Sequence, residues 1–228
     1  PGRAPKYPFF PGALLPPPVL ALGSFFSPPI LGGILGKPAT PQETRAKLIR
    51  ALTAAALIVG SFFVETAGVP VAGCLLRAVT CVVYLGSEIH WRRTDGDEPR
   101  GSLTTGLYWA LGTGLAGLIA AAAAYQWHVG LEHLLYVGGF GLLMLIVASR
   151  VLFGHCGDLA GFSRRSWVPR TLTGLAVIAA TTRASADIWP RITVSHHKYA
   201  AWAWALAALL WLIWHARRFV RREMPDTR

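Results

Sequence analysis

The stretch "LEHLLYVGGFGLLMLIVASRVLFGHCGD", residues 131–158, decides how the rest of the chain is read. Between His133 and Arg150 it carries no charged side chain. A helix needs about 20 mostly apolar residues to cross the hydrocarbon core of a bilayer. Residues 131–153 meet that length, so a spanning helix is expected here with a polar group at each edge. Similar runs at roughly 48–67, 69–90, 103–125, 168–188 and 198–217 bring the expected spans to six. The expected fold class is therefore all-α: a polytopic transmembrane helical bundle of about six spanning helices. The run "VPRTLTGLAVIAATTRASADIW" is the weakest of them, because it holds several hydroxyls and Arg183.

Composition agrees with this reading. More than half of the 228 residues are hydrophobic, yet the formal net charge is +11, a pairing seldom met in soluble basic proteins. The cations fall mostly between the runs. Lys37, Arg45, Lys47 and Arg50 precede the first, and Arg92, Arg93 and Arg100 separate the second from the third. Arg164, Arg165 and Arg170 separate the fourth from the fifth, and Arg217, Arg218, Arg221 and Arg222 follow the sixth. The links near 67–69 and 126–130 carry no lysine or arginine, so the basic links should face the cytoplasm and these two should face out. The link holding Arg191 and Lys198 fixes no side. Cations placed this way meet anionic lipid and do not track a phosphate backbone, so the expected partner is the lipid bilayer and nucleic acid is excluded.

The expected organisation is a Pro-rich apolar segment and cytoplasmic loop over 1–46, a transmembrane helical domain over 47–220 and a basic cytoplasmic tail over 221–228. Residues 8–36 are apolar, but the prolines at 16–18 and 28–29 interrupt helix continuity. An irregular segment at the membrane edge is expected there. The chain begins with Pro1, so a fragment or processed chain is expected. Its three cysteines are too few for a disulfide framework.

With this topology His128, His133, His196 and His197 fall toward the outer face, and His90, His155 and His215 fall toward the inner face beside Cys156. Each cluster could hold a metal, since neutral imidazole is a common ligand of haem iron and copper. Taken singly, His128, His196, His197, His90 and His215 read as ordinary interfacial residues. His133 differs: it lies one turn inside an apolar helix beside Glu132, where an ionisable group is costly and functional by default. Arg150 is 17 residues further on, about 25 Å at the helical rise. It either snorkels to the interface or pairs with Asp158 or a haem propionate. Gly154 and Gly157 flank His155 and would permit a sharp turn and close approach to a flat ligand. Cys156 is a soft donor suited to copper. A plain helix-ending turn explains the same letters. Arg77 should face the protein interior or snorkel outward. The glycines of "VGGFG" read as close helix packing, and the chain has no phosphate loop, H-E-x-x-H, C-x-x-C or G-x-S-x-G.

The quoted stretch also resembles the signature of the NnrS family, in which a helix opens with a histidine, runs through a glycine-rich middle and ends in an arginine and a Gly-His-x-Gly turn. His133, Gly138, Gly141, Arg150, Gly154, His155 and Gly157 fall on that pattern. "PGRAPKYPFF" and "TTGLYWALGTGLAGLIAA" are similar to further parts of the family. Cys156 stands in place of threonine, Asp158 in place of a basic residue, and Thr104, Thr105 and Tyr108 occupy a region where the family has a histidine. The resemblance implies a haem- and copper-containing, multi-pass protein of the cell inner membrane, linked to nitric oxide tolerance. It makes this chain the C-terminal half of a larger bundle, with a missing N-terminal half as partner. Cofactor binding would fall to His133, Arg150 and His155, and metal ligation to His133, His155 and Cys156. The residues do not say whether there is turnover. Two other readings compete: a transporter or channel-like protein with a pathway lined by His133, Arg150 and Arg77, and a cofactor-free structural half.

Overall fold

The computed structural model describes residues 41–89, 101–158, 161 and 164–220. Residues 8–36, His90, the loop residues 92–100 and the tail 221–228 lie outside them, so the expectations placed there are not addressed by the structure. Every regular element among the described residues is helical. The chain divides into two compact units, Pro1–His90 and Trp91–Arg228.

The described part of the first unit is a helical hairpin of α1 (Pro41–Thr66) and α2 (Pro70–Glu88). The turn runs through Gly68, whose φ of 92° lies in the left-handed region open to glycine. Pro70 opens α2, where its missing N–H costs nothing. The two backbones nearly touch at Gly73, since a Cβ there would lie 2.6 Å from the Ser61 carbonyl oxygen and 2.9 Å from Glu65 Cβ. Arg77 faces the interior, 5% exposed. Its Nη2 donates to Glu65 Oε2 at 2.6 Å, its Nε donates to Ser61 Oγ at 3.2 Å, and its guanidinium covers the Phe62 ring at 3.7 Å. Toward the open end, Arg50 Nε donates to Glu88 Oε1 at 2.7 Å. Along both helices the cation precedes the anion, and the antiparallel arrangement brings opposite charges together twice. A slip of one turn would separate both pairs, so the charges fix the register.

The second unit begins with α3 (Ser102–Ala123) and a 3₁₀ turn, Tyr125–Trp127. It continues through α4 (His128–His133), a π-helical segment Leu134–Gly141 and α5 (Leu142–His155). After these come α6 (Trp167–Ile188), a 3₁₀ turn Pro190–Ile192 and α7 (Thr193–Val220). Helix α6 is central, packing on α7, α3, α4 and the π segment. Ala176, Ala179, Ala180 and Ala186 are fully buried along it.

Five described helical runs are long and apolar enough to cross a membrane: Arg45–Thr66, Pro70–Glu88, Ser102–Ala123, Tyr125–His155 and Pro190–Phe219. Helix α6 is not among them, in contrast to the six expected spans. Its alanines and hydroxyls suit contact with helices on several sides, where little side-chain surface is needed to match lipid. Close packing also explains the glycines of "VGGFG". A Cβ on Gly138 would strike Thr113 Cγ2 at 2.4 Å, one on Gly139 would meet Gly114 Cα at 3.1 Å, and one on Gly141 would enter the Trp204 ring at 2.6 Å.

Candidate cofactor groove

The Tyr125–His155 run carries its chemistry at its two ends, and the structure treats the ends differently. At the N-terminal end, α4 lies against α6 at Gly130, where a Cβ would meet Asp187 Cβ at 2.7 Å and the Ala184 carbonyl oxygen at 3.0 Å. One turn later His133 reaches a groove of about 330 Å³, formed with Val137, Ala179, Arg183, His197, Ala200, Ala201 and Trp204. Three elements converge there: the His133 run, α6 and α7. The helix widens into the π segment directly after His133, a deformation that often marks functional sites.

His133 Nδ1 lies 2.7 Å from the Val129 carbonyl oxygen. A carbonyl only accepts, so Nδ1 carries the proton and Nε2 keeps its lone pair, the tautomer that a metal-ligating imidazole requires. Across the groove Arg183 Nη1 donates to Asp187 Oδ1 at 2.9 Å, and His197 Nε2 lies 3.6 Å from the same oxygen. The groove therefore combines apolar walls, a tryptophan, one set imidazole and an Arg183–Asp187 ion pair at its edge, and its volume falls at the small end of ligand pockets. These features fit one side of a haem.

At the C-terminal end the letters serve helix termination. Gly157 has φ 67°. Gly157 N donates to Gly154 O and Asp158 N to Phe153 O, both bonds belonging to a left-handed C-terminal cap. His155 is exposed, and the Cys156 thiol points to the Arg218 carbonyl oxygen at 3.9 Å. Asp158 meets Arg164 at 3.8 Å and Arg218 at 3.7 Å, and accepts from Gly161 N at 3.1 Å. Arg150 is half-buried near this end. Among the described residues, no three His, Cys, Asp or Glu side chains converge in a way that could hold a metal ion. The adjacent His155 and Cys156 are two donors without a third, and this donor set does not fit a closed copper site.

His215, read from sequence as interfacial, is fully buried. Its Nε2 pairs with Ser149 Oγ at 3.0 Å, Ser149 donates to the Leu145 carbonyl oxygen at 2.8 Å, and Trp211 Nε1 donates to Ser149 Oγ at 2.9 Å. Phe153, Trp211 and Trp214 surround the ring at centroid distances of 5.5, 5.0 and 4.5 Å. Its Nδ1 is buried with no hydrogen-bond partner. Nothing in "WLIWHARR" signals this burial, because basic neighbours suggest a helix end. Arg183 of the groove and its partner Asp187, missed by sequence reading, do carry a signal in their i, i+4 spacing. Phe153 packs on His215, and Leu134 lines a separate groove of about 520 Å³ with Thr105, Tyr108 and Trp109. Thr105 and Tyr108, in the region where the family has a histidine, therefore face that second groove. His128 and His196 make local contacts, to Tyr125 and to Ser195 with Tyr199.

No curated protein and no solved structure matches the chain. Residues 18–222 match the family described as NnrS protein.

Proposed function

The chain belongs to the NnrS protein family, and on that footing we propose that it is a haem-binding protein of the cell inner membrane, with His133 as the protein ligand of the haem. Membership and the five apolar runs make it a multi-pass membrane protein of the nitric oxide response. The haem assignment is the further step. The observation that carries it is the Nδ1–H bond from His133 to the Val129 carbonyl, which leaves Nε2 available beside an apolar groove.

Haem iron supplies redox chemistry and affinity for small diatomic gases, tuned by its axial ligand and surroundings. The residues of this chain bind and orient. Val129 keeps the His133 ring in one tautomer and one orientation, Trp204 and the alanines supply apolar walls, and Arg183 brings hydrogen-bond donors to the rim. Arg150 and His155 belong to the other end of the span and would serve a second ligand edge there. The copper that the family resemblance implies finds no fitting donor set among the described residues, so no role is derived for it.

The test is iron content together with a reduced-minus-oxidised absorbance spectrum of the chain purified in mild detergent. Iron near one equivalent with a haem spectrum supports the proposal. A colourless protein that stays colourless after added haem contradicts it.

A further inference from the structure

The rim of the His133 groove has charges that ligation by His133 does not use. Arg183 and His197 both line the groove, and Asp187 holds both: Arg183 Nη1 donates to Asp187 Oδ1 at 2.9 Å, and His197 Nε2 stands 3.6 Å from that oxygen. Asp187 has little room to move, because its Cβ and Oδ2 lie against the backbone at Gly130, 2.7 and 3.0 Å from where a Cβ would be. A guanidinium presents five N–H donors in a rigid plane. The bond through Nη1 leaves the others for a partner in the groove. Arg183 and Asp187 cancel each other's charge, so an entering anion needs a second cation. His197, from a different helix, supplies one when protonated. The remaining walls are Val137, the alanines and Trp204, which suit a flat apolar body.

We propose that Arg183 and His197, braced by Asp187, receive a carboxylate on the edge of the planar ligand that His133 binds. The proposal rests on the haem reading of His133 and adds which residues hold the ligand's anionic edge. Asp187 acts through the other two and is a positioning residue.

The test compares haem with haem dimethyl ester, whose carboxylates are blocked, by titrating the detergent-purified chain and following absorbance and tryptophan quenching. The parent should bind the ester roughly tenfold more weakly or worse, the scale of a lost charge-assisted hydrogen bond. The double variant Arg183→Gln with Asp187→Asn keeps this pair neutral, and its ester penalty should fall to the part that His197 supplies. His197→Ala should lose part of the difference. An equal ester penalty in the parent and the double variant, with haem uptake still dependent on His133, overturns this assignment and leaves the haem reading standing. No uptake of haem by the parent overturns both.

Discussion

The hairpin and the larger helical unit handle polar groups in apolar helices in opposite ways. In the hairpin, Arg77 is bound to Glu65 and Ser61 and covers Phe62, while Arg50 meets Glu88. These charges are spent on each other and fix register. In the larger unit two imidazoles are each tied by one nitrogen, His133 to a backbone carbonyl and His215 to Ser149. One is half-buried at a groove and the other lies in an aromatic cage. An ionisable residue in a membrane helix is a functional hypothesis by default, and the contrast refines that default. A group whose bonding capacity is consumed by its neighbours is architecture, whereas one held rigid with a lone pair facing a groove is prepared for a ligand.

The largest expected effect breaks the hairpin side of this contrast. Arg77→Leu strands the Glu65 carboxylate, and losing one member of a buried pair costs about 3–5 kcal/mol. Adding Glu65→Leu should restore most of the stability, measured by equilibrium unfolding in mixed micelles. If the single variant unfolds like the parent, the pair does not hold the hairpin. His215→Ala should come next, at about 2–4 kcal/mol for an emptied aromatic site. Ser149→Ala removes only the hydrogen bonds and should cost about 0.6–1.7 kcal/mol, the range found between membrane helices. Equal losses in these two variants would show that the cage contributes little packing.

His133→Ala sharpens the other side. Its ring is tied to its own helix, so stability should change by less than about 1 kcal/mol while haem uptake is lost. A large fall in stability without loss of haem would recast His133 as architecture. The smallest effect is expected for Arg50→Gln. Its side chain is 49% exposed, and a pair of that kind is worth about 0.2–1 kcal/mol. The difference from the parent should shrink further in high salt.

The helical class and nearly all the spans were legible in the sequence, because span length follows from bilayer thickness. Helix α6 departed for a physical reason: its letters are tuned to other helices, and hydropathy measures affinity for lipid. His133 stood out because an imidazole one turn inside an oily run is unusual in one dimension. Its groove did not, since Arg183 and His197 lie on helices whose rotation only packing sets. The Gly-His-Cys-Gly turn allowed both a close ligand and a plain helix end, and Gly157 forms a left-handed helix cap. His215 was hidden because four consecutive residues, Trp214 to Arg217, change from aromatic to basic, and only the packing of Phe153 and Ser149 decides which side the imidazole joins.

The most direct test of His133 as the haem ligand is rescue of His133→Ala by free imidazole, followed by the haem absorbance band. The parent should show the band, the variant should lose it, and millimolar imidazole should restore it in the variant by filling the vacated position. A variant that keeps the parent spectrum without imidazole would contradict the assignment and place the ligand elsewhere in the chain.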